Sequence, residues 1–323
     1  MTVQRYRWRG RVVAVAVAGG LVAGLSATGC SRPGAGGAAE ATDAADAARA
    51  ADADVAGRAD GAAGPAGAAG EKGPGAGGSG AGGSADPVAT MHRTAAVLVR
   101  SGSSTVRTSL EMASGGTRVT IRGEGGFDYG KRLGRLRVTL PPDAAGADEH
   151  RPIIQLLAPG ALYMKNRGAG VPADKWVRVD TTELADGNLV TGGATDPLSA
   201  AELLRGAREV SCVGERRTGG ETVRHFRGTT DIARAAKAAS ARTRPSLAAA
   251  AKGFARDTVA FDAYVDERGR LRKLEQRFSF VNDEGRVAVV ASTIELSGFG
   301  TPVTVELPPE REIYTGKVAA PGE

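Results

Sequence analysis

The alternation of apolar and polar residues is the clearest signal in the chain, and from residue 103 onward it has a period of two. Leu136, Val138 and Leu140 alternate with Arg and Thr, and Val259 and Phe261 begin a similar run. Successive side chains of a strand point to opposite faces, so this period indicates half-buried β-strands. Further strands are predicted at 119–121, 153–157, 161–165, 176–179, 210–213 and 222–227, and the block 258–300 is predicted to be all strand, with glycine-bearing turns at 266–269 and 282–285.

A helical period interrupts the strands at several places. Val88, Met91 and Ala95 are three or four residues apart, which places them on one face of a helix. This helix is predicted to begin at Asp86 and Pro87, because aspartate caps a helix and proline suits its first turn. The same Asp-Pro signal opens a second helix at 196–197, and alanine-rich helices are predicted from residues 231 and 244.

The succession of elements predicts one α+β domain. We expect a strongly curved antiparallel sheet, a β half-barrel, with a few α-helices packed against one face. A sheet of so many strands tends to curl toward a barrel. At about 235 residues the domain is long enough to bury a sizeable core.

The first thirty residues have the order of a secretory signal. Four arginines at positions 5, 7, 9 and 11 precede an apolar run from 12 to 25. At about 14 residues, this run is shorter than the roughly 20 that a membrane-spanning helix needs. Residues 1–29 are therefore predicted to be a signal peptide, with a short membrane anchor as the alternative.

The sequence Ser-Ala-Thr-Gly-Cys at 26–30 resembles the lipobox of bacterial lipoproteins. In that class the chain is cut before the cysteine, and the cysteine is acylated. Two or three acyl chains anchor a protein firmly in a bilayer. Cys30 is therefore the predicted lipid-attachment residue, and we expect the protein on the extracytoplasmic face of the cell membrane. Secretion after cleavage near Ala27 is the alternative.

A segment of unusual composition follows the cysteine. Residues 31–86 are almost entirely Ala, Gly, Asp, Pro, Ser and Glu, which cannot bury enough apolar surface to offset chain entropy. We expect residues 30–86 to form a disordered tether with an end-to-end distance of about 40 Å. The folded domain is predicted to span 87–312, followed by a short tail at 313–323.

Charge and cysteine content exclude two further classes. The formal net charge is +6, but four of the positive charges belong to the signal and no basic run follows, so no nucleic-acid partner is predicted. The chain has two cysteines. With Cys30 acylated, Cys212 has no partner for a disulfide, and its apolar neighbours predict a small buried strand residue.

Catalytic motifs are missing from the sequence. No HExxH, CxxC or GxSxG occurs, and His92, His150 and His225 lie in unrelated contexts. The chain is accordingly predicted not to be an enzyme, with no catalytic residue, no metal site and no cofactor.

Four stretches in order along the chain resemble a known family. They are GALYMKNRGAGVPADKWVRVD from 160, GGETVRHFRGTTDI from 219, VAFDAYVDERGRLRKLEQRFSF from 259 and SGFGTPVTVELPP from 297. Together they are similar to the LppX, LprA, LprF and LprG type of actinobacterial lipoproteins, which share a half-barrel with the periplasmic carrier LolA. No single stretch is specific, but four in register span nearly the whole predicted domain.

The resemblance implies a function as well as a fold. Some relatives enclose a lipid or glycolipid in a hydrophobic cavity between the curved sheet and its helices. The wall residues that this implies here are Leu136, Val138, Leu156, Leu162, Met164, Phe261, Phe278 and Phe280. The same alternation also fits an ordinary filled core, so the alternative is an envelope scaffold or sensor that recognises a protein partner without an internal ligand.

Overall fold

Eleven antiparallel strands form one open sheet in the computed structural model, which describes residues 86–114, 117–141, 151–168, 170–281 and 287–316. Neighbouring strands follow the chain, except that β1 pairs with β11; β6 and β7 are the two edges. The strands are β1 (Ser103–Ser114), β2 (Thr117–Asp128), β3 (Leu133–Thr139), β4 (Ile153–Ala158), β5 (Ala161–Lys165), β6 (Trp176–Asp180), β7 (Ala207–Thr218), β8 (Glu221–Asp231), β9 (Thr258–Asp266), β10 (Leu271–Val281) and β11 (Val287–Ser297).

The four helices of the described residues begin at or next to their predicted positions, and the first two begin at the predicted Asp-Pro caps. They are α1 (Pro87–Arg100), α2 (Pro197–Leu203), α3 (Ile232–Ala238) and α4 (Arg244–Gly253). Asp86 accepts the Val88 and Ala89 N–H groups, and Asp196 accepts those of Leu198 and Ser199. These bonds satisfy donors that have no partner within the helix, so each Asp-Pro pair fixes where its helix starts. No helix among the described residues is long and apolar enough to cross a bilayer.

One face of the sheet packs against the helices, and we call it the inner face. Its residues include Val106, Ile121 and Val138, which join Leu98 of α1 and Leu247 of α4 in a single buried cluster. The predicted fold class is confirmed: a large open antiparallel sheet carries a few helices on one side. The turn predicted at 266–269 joins β9 and β10, whereas the one at 282–285 lies outside the described residues, as do Cys30 and the rest of 1–85.

The C-terminal segment follows the opposite face, which we call the outer face. The Gly300 N–H donates to the Ser103 carbonyl at 3.0 Å. An added Cβ on Gly126, an outer-face position, would lie 2.9 Å from Val303. The segment ends at the edge strand β6, where the Tyr314 N–H donates to the Trp176 carbonyl at 2.8 Å. The chain thus remains attached to the sheet through Tyr314.

Candidate ligand site between the sheet and the helices

Most of the predicted wall residues lie together on the inner face. Leu136, Val138, Leu162, Phe261 and Phe278 belong to the buried cluster, and the half-buried Met164 packs against it. Phe278 also stacks on Phe254, which follows α4, with ring centroids 5.1 Å apart. Phe280 lies in β10, but its side chain is outside the described part. Whether these residues contact a ligand stays a prediction.

Leu156 was expected in this wall but lies on the other side of the sheet. In the strand register it is opposite Arg135 and Tyr163, on the outer face. Its neighbours Gln155 and Leu157 point inward instead, because successive residues of a strand face opposite sides. Leu156 is nevertheless only 1% exposed. Its burial therefore comes from the outer face, which the C-terminal segment crosses between Gly126 and Trp176.

A segment without helix or strand fills the space between the inner face and α4. We call residues 184–195, between β6 and α2, the inserted segment. An added Cβ on Gly123 of β2 would lie 3.3 Å from the Ala194 Cβ, and one on Gly193 would lie 3.4 Å from Ile121. The segment therefore touches the sheet through residues with little or no side chain.

The other side of the inserted segment touches α4 just as closely. A Cβ on Gly187 would collide with the carbonyl oxygen of Ser246, and one on Gly253 with that of Ala185. Gly187 also has a φ of +58°, a conformation that favours glycine. The segment is thus held between a helix and the sheet, with no space for larger residues at these points.

Polar side chains fix the shape of the inserted segment. The buried Asp186 carboxylate accepts the N–H groups of Asn188, Val190 and Thr191 at 3.1, 2.7 and 2.6 Å. Thr195 Oγ1 donates to the Leu189 carbonyl at 2.7 Å and lies 2.9 Å from Ser292 Oγ of β11. These bonds supply the pairing that a buried backbone without regular structure would otherwise lack.

Several polar atoms around the inserted segment have no hydrogen-bond partner among the described residues. They are Thr108 Oγ1, Gln155 Oε1, Asn188 Oδ1 and both amide atoms of Gln276. Gln155 uses only its amide nitrogen, which donates to the Gly192 carbonyl. Each unpaired buried group costs about 1–3 kcal/mol. The layer between sheet and helices is therefore polar in places and incompletely paired.

A small cavity opens at one end of this layer, and its volume is about 40 Å³. Small-molecule sites have volumes of roughly 300–1,000 Å³, so this cavity holds a few water molecules and no acyl chain. Its lining is mostly polar and includes Arg132, Asn188, Asp196, Thr243 and Ser246. The inner face therefore has no lipid-sized opening at this cavity in the structure described.

Two ionisable residues that line the cavity, Arg132 and Asp196, have well-defined surroundings. Arg132 has a φ of +58°, unusual for a residue other than glycine. Its Nη1 donates to Ser240 Oγ and Thr243 Oγ1 at 3.1 and 3.2 Å. Burial raises the pKa of Asp196, although hydrogen bonds from Ser199 and Leu198 and the charge of Arg132 act in the opposite direction.

A second titratable cluster lies on the outer face, away from this layer. The buried His225 places Nε2 2.6 Å from Asp262 Oδ1, and its ring stacks on Tyr264 with centroids 4.4 Å apart. Burial alone would raise the pKa of Asp262, but hydrogen bonds from His225 and Arg227 outweigh it and lower that pKa. The described residues contain no group of His, Cys, Asp and Glu that could hold a metal ion.

Cys212 is exposed, contrary to the expectation of burial. It lies in β7, which is an edge strand with register shifts on both sides of Cys212. Such bulges disrupt the alternation from which burial was predicted.

Comparisons with known proteins give structural neighbours only. No family model and no curated protein matches the chain. The solved structures that it resembles include the lipoprotein LppX of Mycobacterium tuberculosis, with 11% identity and a TM-score of 0.42 over 68% of this chain and 97% of that one. LprF of Mycobacterium bovis has 13% identity and a TM-score of 0.36, covering 69% and 96%.

A putative outer membrane lipoprotein-sorting protein domain of Vibrio parahaemolyticus has 8% identity and a TM-score of 0.29, covering 68% and 94%. The resemblance expected from the sequence is thus found again among solved structures. At these identities and TM-scores the likeness concerns the fold alone.

Proposed function

We propose that the protein is a non-catalytic lipoprotein, anchored through acylated Cys30 outside the cell membrane, that carries a lipid between its inner face and its helices. The observation that carries the proposal is the inserted segment. Apolar side chains line the inner face across the sheet, from β5 near one edge to β8 near the other. The helices cover only part of this face, and the inserted segment, which has no regular structure, completes the packing.

The width of the sheet gives the physical reason. In a sheet of eleven strands, side chains from one face can fill only part of the space beneath a curved surface. That space must hold a ligand, solvent or another part of the chain. Apolar residues such as Ile121, Val138 and Phe261 make it suitable for an acyl chain.

The sequence at 26–30 supports the anchor. Small residues before Cys30 match a lipobox, and the tether after it would let the domain reach a ligand in or near the bilayer. A carrier with this arrangement stays at the membrane while its binding domain moves.

Native mass spectrometry of the full chain tests the proposal. We expect the protein purified from an actinobacterial host to carry a bound lipid that organic extraction removes. We also expect the extracted protein to take up palmitoyl-oleoyl phosphatidylglycerol from vesicles. A chain that carries no lipid after purification and takes none from vesicles would contradict the carrier function.

A second candidate is an envelope module that binds a protein partner. The observation in its favour is that the inserted segment occupies the space between the inner face and α4, together with the exposed edge strand β7, on which Val213 is 41% exposed. An unpaired edge can accept a strand from another protein. Cross-linking that recovers one partner in equal amount, from a chain without bound lipid, would favour this candidate.

A further inference from the structure

We infer that the inserted segment, residues 184–195, occupies the ligand site and leaves it when a diacyl glycerolipid binds. The inference rests on the proposed function and names its site and ligand class. Three features of the described residues lead to it: the form of the segment, the unpaired polar atoms beside it, and the chemistry of the walls that it covers.

The form of the segment is unusual for a core. Connections normally run over the surface, because a buried one must find partners for all its backbone groups. Here Leu184, Leu189 and Ala194 are buried within a stretch that forms no helix or strand. Long irregular connections in compact domains are usually functional. A core that needed only to be filled would use larger side chains from the sheet and helices.

The unpaired atoms show that the inserted segment fits its place incompletely. Gln276 has neither amide atom bonded, and Thr108 Oγ1 and Gln155 Oε1 also lack partners. All three side chains are at most 5% exposed. Each such group lowers the stability of the occupied state when it stays unpaired. Segments of low local stability are the ones that open while the rest stays folded.

The walls of the layer indicate the ligand. Ile121, Val138 and Phe261 would contact acyl chains, and Gln276 offers both a donor and an acceptor among them. The one ionisable group of the inserted segment, Asp186, already accepts three N–H groups. The layer therefore suits neutral hydrogen-bonding groups between apolar chains, which are the esters and hydroxyls of a glycerolipid.

A reversible lock tests the inference. Thr195 Oγ1 and Ser292 Oγ are 2.9 Å apart, so Thr195→Cys with Ser292→Cys places two thiols close enough to bridge the segment to β11. The parent is the full chain with Cys30→Ser and Cys212→Ser, which removes the two natural thiols. The probe is pyrene-labelled phosphatidylglycerol presented in vesicles.

We expect the oxidised variant to bind the probe at least tenfold more weakly than the same variant after reduction. Equal binding before and after oxidation, with the disulfide verified by thiol titration, would overturn the inference while leaving the carrier function standing. If neither the parent nor the reduced variant binds, the carrier function itself fails and the inference fails with it.

Hydrogen exchange on the parent gives a second test that does not depend on the engineered cysteines. Displacement exposes the backbone of the inserted segment to solvent, so we expect amides 187–195 to exchange at least tenfold faster with the probe bound. Exchange that is unchanged or slower would show that the segment stays in place, and would overturn the inference.

Discussion

The two buried glutamines of the inner face have opposite relations to the inserted segment. The Gln155 side-chain amide donates to the Gly192 carbonyl, whereas the Gln276 side chain has no hydrogen-bond partner among the described residues. The two side chains are equally buried, at 0% and 1% exposure. Substituting each glutamine therefore distinguishes a side chain that is hydrogen-bonded to the inserted segment from one that has no hydrogen bond without a ligand.

We predict that Gln276→Leu raises the free energy of unfolding by about 1 kcal/mol, because an apolar side chain of similar size removes two unpaired groups. Gln155→Leu should lower it by about 1–3 kcal/mol, because the Gly192 carbonyl loses its donor. Urea denaturation of the full chain measures both. If both variants lose similar stability, Gln276 is paired in solution and does not await a ligand.

Asp196 gives a prediction about pH. Burial raises its pKa above the unfolded value of 3.8. The ionised carboxylate therefore lowers stability above the folded-state pKa, and this loss disappears as the pH falls through that pKa. Asp196→Asn keeps an oxygen to cap α2, so we expect it to be more stable than the wild type at pH 7 and equal to it near pH 4.

Asp196→Ala is the control for the helix cap. It should be about 1 kcal/mol less stable than Asp196→Asn at every pH, because no side-chain oxygen remains for the N–H groups of Leu198 and Ser199. Thermal denaturation from pH 4 to 8 distinguishes the variants. An asparagine variant that is less stable at pH 7 and recovers in acid would show that the pKa is lowered instead.

Individual residues were predictable where a local rule governs them. The Asp-Pro caps of α1 and α2 follow from bonds within one helical turn, and the structure confirms them. Leu156 and Cys212 were misplaced because their burial depends on distant features. The first lies on a face that the C-terminal segment crosses, and the second lies on a bulged edge.

At the scale of elements, the burial of the inserted segment could not be predicted from the sequence. Its glycines, threonines and asparagine are typical of a surface loop, and it has no period. Its burial arises from contacts with β2, β11 and α4, which are distant in the chain. Composition describes a segment's own preferences and not the space that a curved sheet leaves open.

Gly187→Ala tests whether the inserted segment is docked against α4 in solution. Alanine at this φ costs about 1 kcal/mol, and the collision with the Ser246 carbonyl should add at least about 2 kcal/mol. Gly160→Ala is the matched control, since Gly160 also has a positive φ but open space around its Cβ position. Similar losses for the two variants, measured by urea denaturation, would mean that the segment is not docked.

At the scale of the whole molecule, the fold class followed from alternation, but the strand order did not. The pairing of β1 with β11 joins the two ends of the strand series and leaves β6 and β7 as edges. Period-two patterning reports which face is buried and carries no information on such distant partners. The apolar wall could be predicted for the same reason, whereas its occupant could not.

The anchor is also a property of the whole molecule. We predict that Cys30→Ser releases the full chain from the membrane fraction or leaves it unprocessed, because no thiol remains for acylation. Cys212→Ser should stay in that fraction with an unchanged acyl mass. Intact mass spectrometry and fractionation check both. Retention and mass like those of the wild type in Cys30→Ser would remove the lipoprotein assignment.

The central claim is that a lipid binds between the inner face and the helices. Photo-crosslinking tests it most directly, with a phospholipid that carries a diazirine near the end of one acyl chain and with tandem mass spectrometry to locate the attachment. We predict attachment to inner-face residues such as Val138, Phe261 and Phe278. Attachment to Leu156 and its outer-face neighbours, or to no residue of the domain, would contradict the claim.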